Sequence, residues 1–187
     1  MKKASLFIGV LALIGLTIYF LSDPYLFTSA ETLYAIGVEK SDEGTDVINT
    51  EELEVAAEFF ERAISKGFKE RTVFDKLGRA YAHTADNATQ EEMYSRALKE
   101  YPDDFEFLFR RAESRMEQHK YKPTLEDYDK VVKLGSHSEY INHALYGRGA
   151  AWYLLGDTAN AAKDFNALTR LTGNEWRDYE DYSKRFQ

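Results

Sequence analysis

Aromatic and aliphatic residues recur along this chain at helical spacing, in blocks that repeat. Phe60, Tyr94, Tyr128 and Phe165 each carry a small or aliphatic residue three positions on, at Ala63, Ala97, Val131 and Leu168, and the blocks lie 34, 34 and 37 residues apart. Upstream in the last three blocks lies a second apolar pattern, "FDKLGRAY", "LFRRAESR" and "LYGRGAAW". Within it Leu77-Gly78, Arg111-Ala112 and Arg148-Gly149 return at the same 34 and 37. Two independent features share one period, which marks stacked units rather than a single core. Apolar residues three apart fall on one helical face, so each period is predicted to be a pair of helices joined by a turn.

The unit beginning at Arg71 carries Phe74, Leu77, Gly78, Tyr81, Tyr94, Ala97 and Pro102, and departs only where Gln90 stands in place of Ala. This pattern resembles the tetratricopeptide repeat family. The unit from Phe105 departs in its first helix, with Arg115 at the aromatic position, while "YKPTLEDYDKVVKL" fits the second. The unit from Asn142 supplies Leu145, Gly149, Trp152, Gly156, Ala161 and Phe165 after an insertion near Ser136–Ser138, and a looser first unit supplies Ala56, Phe60 and Ala63. The resemblance covers residues 30–172. It implies an all-α, helical-hairpin solenoid of about four repeats, at 30–70, 71–104, 105–141 and 142–173. Small residues let the two helices of a hairpin approach, and aromatics fill the gap to the next hairpin. Trp176, Tyr179, Tyr182 and Phe186 follow with charges between them. Residues 174–187 therefore read as a capping helix, with a partner-binding helix as the competing reading.

The N-terminus follows a different rule. Between Lys3 and Asp23 there is no charge, and 11 of the 18 residues from Ala4 to Leu21 are Leu, Ile, Val or Phe. As a helix rising about 1.5 Å per residue the run spans roughly 27 Å, near the thickness of a thin bilayer. Each such residue favours insertion by about 0.3–0.6 kcal/mol near the centre. Residues 1–23 thus read as a cytoplasmic tip and transmembrane signal anchor, followed by a short linker at 24–29. Cleavage as a signal peptide is the alternative, but the run exceeds the usual length. The nearest small-x-small site, Thr28–Ala30, would remove Thr28, expected to cap the first helix with Glu31. Either way Lys2 and Lys3 stay in the cytoplasm and the rest is exported to a periplasmic or extracytoplasmic location.

Charge and cysteine narrow the function classes. From residue 24 onward 22 Lys and Arg face 31 Asp and Glu, a net −9, which repels phosphate backbones and argues against nucleic acid. There is no cysteine, so disulfides and thiolate-based metal sites are excluded. The histidines His83, His119, His137 and His143 form no His-Glu-x-x-His pair, and no phosphate-binding glycine loop or nucleophile elbow is present. The acidic stretch Ser41–Thr50 lacks the ligand spacing of a calcium loop. No catalytic residue, metal or cofactor is therefore expected, and the chain reads as non-enzymatic.

Function is expected in a groove lined by the first helix of each unit, where the family resemblance places partner contacts. Mapped onto this chain, those positions include Tyr34 and Val38; Lys76, Arg79 and His83; Phe109, Arg110 and Glu113; and His143, Tyr146, Ala150 and Tyr153. Tyr, Phe and Arg are favoured interface anchors, and an extended or helical peptide suits such a groove. The family's carboxylate clamp fits poorly, because Asp75 and Gly147 stand where Lys and Arg are expected. The expected partner is a protein or peptide segment, held near the membrane by the N-terminal helix in a role such as envelope assembly or secretion. Self-association into a homo-oligomer is the alternative.

Overall fold

The computed structural model describes residues 23–42, 49–134 and 140–173. Among them are eight helices and no strand: α1 (Ala30–Asp42), α2 (Thr50–Ser65), α3 (Arg71–Thr84), α4 (Asn87–Glu100), α5 (Phe105–Glu117), α6 (Tyr121–Leu134), α7 (Tyr140–Leu154) and α8 (Thr158–Thr172). None of these helices is long and apolar enough to cross a membrane. The expected anchor, the acidic stretch at 43–48, the insertion with His137 and the capping helix at 174–187 all lie outside the described residues.

Side chains set the helix starts. Asn49 Oδ1 accepts from the amides of Glu51 and Glu52, Asp86 from Thr89, Asp104 from Glu106 and Phe107, and Asp157 from Asn160. Each satisfies amides that have no partner within the first turn. The cap of α1 is Ser29, whose Oγ accepts from the Thr32 amide, and not Thr28 as the sequence pattern implied. Thr28 sits one residue too early, in the turn that precedes the helix.

Consecutive helices pack as four hairpins, and each hairpin packs on the next. Phe60, Phe74 and Tyr128 are fully buried in this stack, in a core that runs continuously from α2 to α7. Small residues occur where rings cross helices. A methyl group at Gly78 would lie 2.5 Å from the Tyr94 hydroxyl, and one at Gly37 would lie 2.7 Å from the Phe60 ring. Both are far inside van der Waals contact, so these aromatics reach their positions only because the facing helix is bare there.

Charge also holds the stack together. Glu61, Ser95 and Asp129 are 34 residues apart, and each accepts from an arginine of the following hairpin: Arg96, Arg111 and Arg148, at 2.6, 3.2 and 2.8 Å. Tyr81 adds its hydroxyl to Glu61 at 3.1 Å, and burial pushes that phenol up to about 12. The same position in three of the units thus bridges to the next hairpin, from Glu61 to its second helix and from Ser95 and Asp129 to its first.

Candidate functional site

The backbones of successive first helices approach closely between α1 and α3 and again between α5 and α7, whereas α3 and α5 meet through side chains near their starts, Phe74 against Phe107 with ring centres 6.4 Å apart and Arg71 on Glu106 at 2.7 Å. A groove of about 660 Å³ opens at that interval. Helix α3 supplies Asp75, Gly78, Arg79, Ala82 and His83. Helix α4 adds Asn87, Gln90 and Tyr94, α5 adds Glu106, Phe107, Arg110, Glu113, Ser114 and Glu117, and Tyr140 closes one end.

Gln90 explains the opening. The residues one period away, Ala56, Thr124 and Ala161, are small and buried where the two helices of a hairpin cross. Gln90 is larger, stays half-buried, and donates its amide to the Ala85 carbonyl at 3.1 Å. The α3–α4 hairpin consequently closes less tightly than the others, and the space appears beside it.

The groove wall is polar and internally braced. Glu106 accepts from Arg71 at 2.7 Å and from the Tyr140 hydroxyl at 3.1 Å, so its carboxylate is held against the wall. Arg110 lies 5.7 Å from the Phe109 ring centre and donates to Glu113 at 3.1 Å. Burial opposes the Arg110 charge, but nearby Glu113 and the phenols of Tyr94 and Tyr140 keep its pKa above the ordinary arginine value. The phenol of Tyr94 is driven well upward by burial, so it stays protonated. An adjoining recess of about 330 Å³ is lined by Phe109, Arg110, Glu113, Tyr140 and His143. Such a surface can form ion pairs, hydrogen bonds and aromatic contacts with a chain laid along it. Among the described residues no three His, Asp or Glu side chains converge as a metal site would require.

Of the residues expected to line a groove, the structure brings together Arg79, His83, Arg110 and Glu113, with Phe109 and His143 at the recess. It separates the others. Tyr34 stacks on Phe68 at 4.7 Å, and Val38 packs on the core, so both serve the first hairpin. Ala150 has no exposed surface and packs with Met116, which removes it from any binding face. Phe109 is only 4% exposed and acts as wall rather than anchor. Lys76, Tyr146 and Tyr153 are half-buried and line neither cavity. Gly147 is buried under the Tyr128 ring, so the arginine of a carboxylate clamp would not fit there. The reading from sequence missed Gln90, Tyr94, Glu106 and Tyr140 as groove residues, although Gln90 was visible as a departure from the repeat pattern.

No family model matches the sequence, and no curated protein does. Solved structures do resemble the fold. One titled "Crystal structure of MamA" has a TM-score of 0.63 and 15% identity, covering 91% of this chain and 87% of that one. A structure titled "MamA MSR-1 C2" has 0.62 and 14%, covering 78% of each chain. A tetratricopeptide repeat protein from Parabacteroides merdae has 0.63 and 22%, covering 76% of this chain and 55% of its own. The chain has a tetratricopeptide-like fold. At these identities the likeness is one of architecture.

Proposed function

We propose that this chain is a non-enzymatic scaffold that holds a segment of another protein in the groove between α3 and α5. The observation that carries this reading is the groove of about 660 Å³ that opens between α3 and α5 beyond their contact at Phe74 and Phe107, walled by Arg79, His83, Arg110 and Glu113. Binding there needs no chemistry: an extended segment would exchange its hydration for the polar wall and the half-buried Tyr140 ring. The apolar run from Ala4 to Leu21, with Lys2 and Lys3 ahead of it, supports a single-pass membrane anchor with the helical stack on the extracytoplasmic side. Anchoring would concentrate the stack at the membrane, where a partner is met at high effective concentration.

Capture on immobilised residues 23–187 from detergent-solubilised envelope tests the groove. A specific protein retained by the natural sequence and lost on Arg79→Glu with Arg110→Glu supports it; retention by both proteins contradicts it. A carboxy-terminal reporter active only outside the cytoplasm tests the orientation, and cytoplasmic activity would reverse it.

A further inference from the structure

Residues 23–29 are folded onto the first hairpin as a fitted joint. Two consecutive tight turns close on themselves, with the amide of Leu26 donating to the Asp23 carbonyl and that of Thr28 to the Tyr25 carbonyl. Asp23 pairs with Arg62 at 2.8 Å near the end of α2, and the same carboxylate accepts the Tyr25 amide at 3.0 Å. The ammonium of Lys66 donates to the carbonyls of Leu26 and Thr28 at 2.7 Å each and to that of Tyr25 at 3.3 Å. Tyr25 packs edge-on against Phe59 with ring centres 4.9 Å apart, and Arg62 lies over the same ring. These contacts span about 40 residues of sequence and fix the segment in place. Phe27 points the other way, 84% exposed at the outer side of the turn.

Leu21, the last residue of the apolar run, is two residues from Asp23, so its Cα lies within about 8 Å of that of Asp23. The end of α2 is thereby brought to the edge of whatever Leu21 is embedded in. We propose that this joint seats the first hairpin on the lipid headgroup layer, with Phe27 entering it as an interfacial aromatic. The proposal rests on the membrane-anchor reading above and extends it from a tether to a seat. The headgroup layer adds about 5–8 Å on each side of the hydrocarbon, within reach of a residue six positions beyond Leu21 in a compact turn. Charge does not hold the seat, because residues from 24 onward carry −9. The contact therefore draws on an aromatic side chain and tolerates salt.

The absence of native cysteine permits a direct test on the full chain in phosphatidylcholine nanodiscs. Single-cysteine Ser65→Cys and Ala159→Cys proteins, both with Phe27 intact, carry an environment-sensitive fluorophore, and quenching by headgroup-labelled lipid is read with and without 0.5 M salt as a rough high-screening condition. Quenching of about twofold or more at 65, little at 159, and no loss in salt is the expected result. Arg62→Ala with Lys66→Ala should release the seat, lowering quenching at 65 toward the value at 159. Phe27→Ser gives the same readout from an exposed position should the double variant fail to fold. A chain that resists carbonate extraction yet shows solvent-like behaviour at 65 overturns the seat and leaves the anchor standing. A chain extracted by carbonate overturns both.

Discussion

Arg111 holds Asp127 with two parallel hydrogen bonds, Nε to Oδ2 at 2.9 Å and Nη2 to Oδ1 at 2.7 Å, across the crossing of α5 and α6. Asp127 is 2% exposed, and Arg115 adds a third contact at 2.8 Å. Arg148 and Asp164 repeat the arrangement in the last hairpin, again sixteen residues apart. In the second hairpin the same two positions are Leu77 and Met93, both buried. One crossing is thus solved with apolar packing in one unit and with an ion pair in two others.

This equivalence predicts an asymmetric mutational outcome. Asp127→Ala leaves the half-buried guanidinium groups of Arg111 and Arg115 short of a partner and is expected to destabilise residues 23–187 by about 3–5 kcal/mol. The paired change Arg111→Leu with Asp127→Met copies the second hairpin and should recover most of that loss, because a packed apolar pair replaces a buried ion pair at little net cost. Urea unfolding of the two variants, read by circular dichroism, checks the difference.

Acidification should weaken the middle of the stack through Glu91. Burial alone would raise the pKa of this carboxyl, but Lys120, Arg115 and Gln118 outweigh it and hold the value below the ordinary one. A group with a depressed folded pKa binds its proton more readily when unfolded, so its contribution is complete above about pH 4.3 and is lost below it. Stability measured from pH 6 down to about 3 should fall, and Glu91→Gln should flatten part of that slope.

Gln90→Ala is expected to tighten the α3–α4 hairpin, since Ala56 and Ala161 occupy the same position in closed hairpins. Spin labels at Ala82→Cys and Glu92→Cys should report a shorter distance in this variant than in the natural sequence. Partner capture should weaken in parallel, because the same movement alters the groove wall that Gln90 lines.

Arg79 and Arg110 should matter for binding and little for folding. Both are exposed on the groove side, where Arg110 pairs with the neighbouring Glu113 and lies over the Phe109 face. Charge reversal at either is expected to change stability by no more than about 0.5 kcal/mol. Each should weaken capture of the partner by about tenfold, equivalent to ~1.4 kcal/mol, read by titration calorimetry against the bound segment.

The helical stack was legible because packing leaves a local mark. Rings such as Phe60, Tyr94 and Tyr128 recur with the period, and each meets a bare glycine, Gly37, Gly78 or Gly147, on a facing helix. The placement of the groove was harder to read, since it depends on which neighbouring helices separate. The decisive mark was a single glutamine among small residues. Tyr34, Val38 and Ala150 occupy positions that face the groove in a regular repeat, but here they pack inward on Phe68, the core and Met116. The pairing of Arg111 with Asp127 and of Arg148 with Asp164 went unread although both aspartates recur sixteen residues after the arginines, because whether such side chains meet depends on how the two helices of a hairpin cross.

Site-specific photo-crosslinking in intact cells tests the groove most directly. A photoreactive residue is placed at His83, inside the groove, or at Lys130, on the exposed side of α6. A discrete adduct with another protein is expected from His83, none from Lys130, and the adduct should be lost on Arg110→Glu. Adducts from Lys130 alone, or from His83 unaffected by Arg110→Glu, would contradict it.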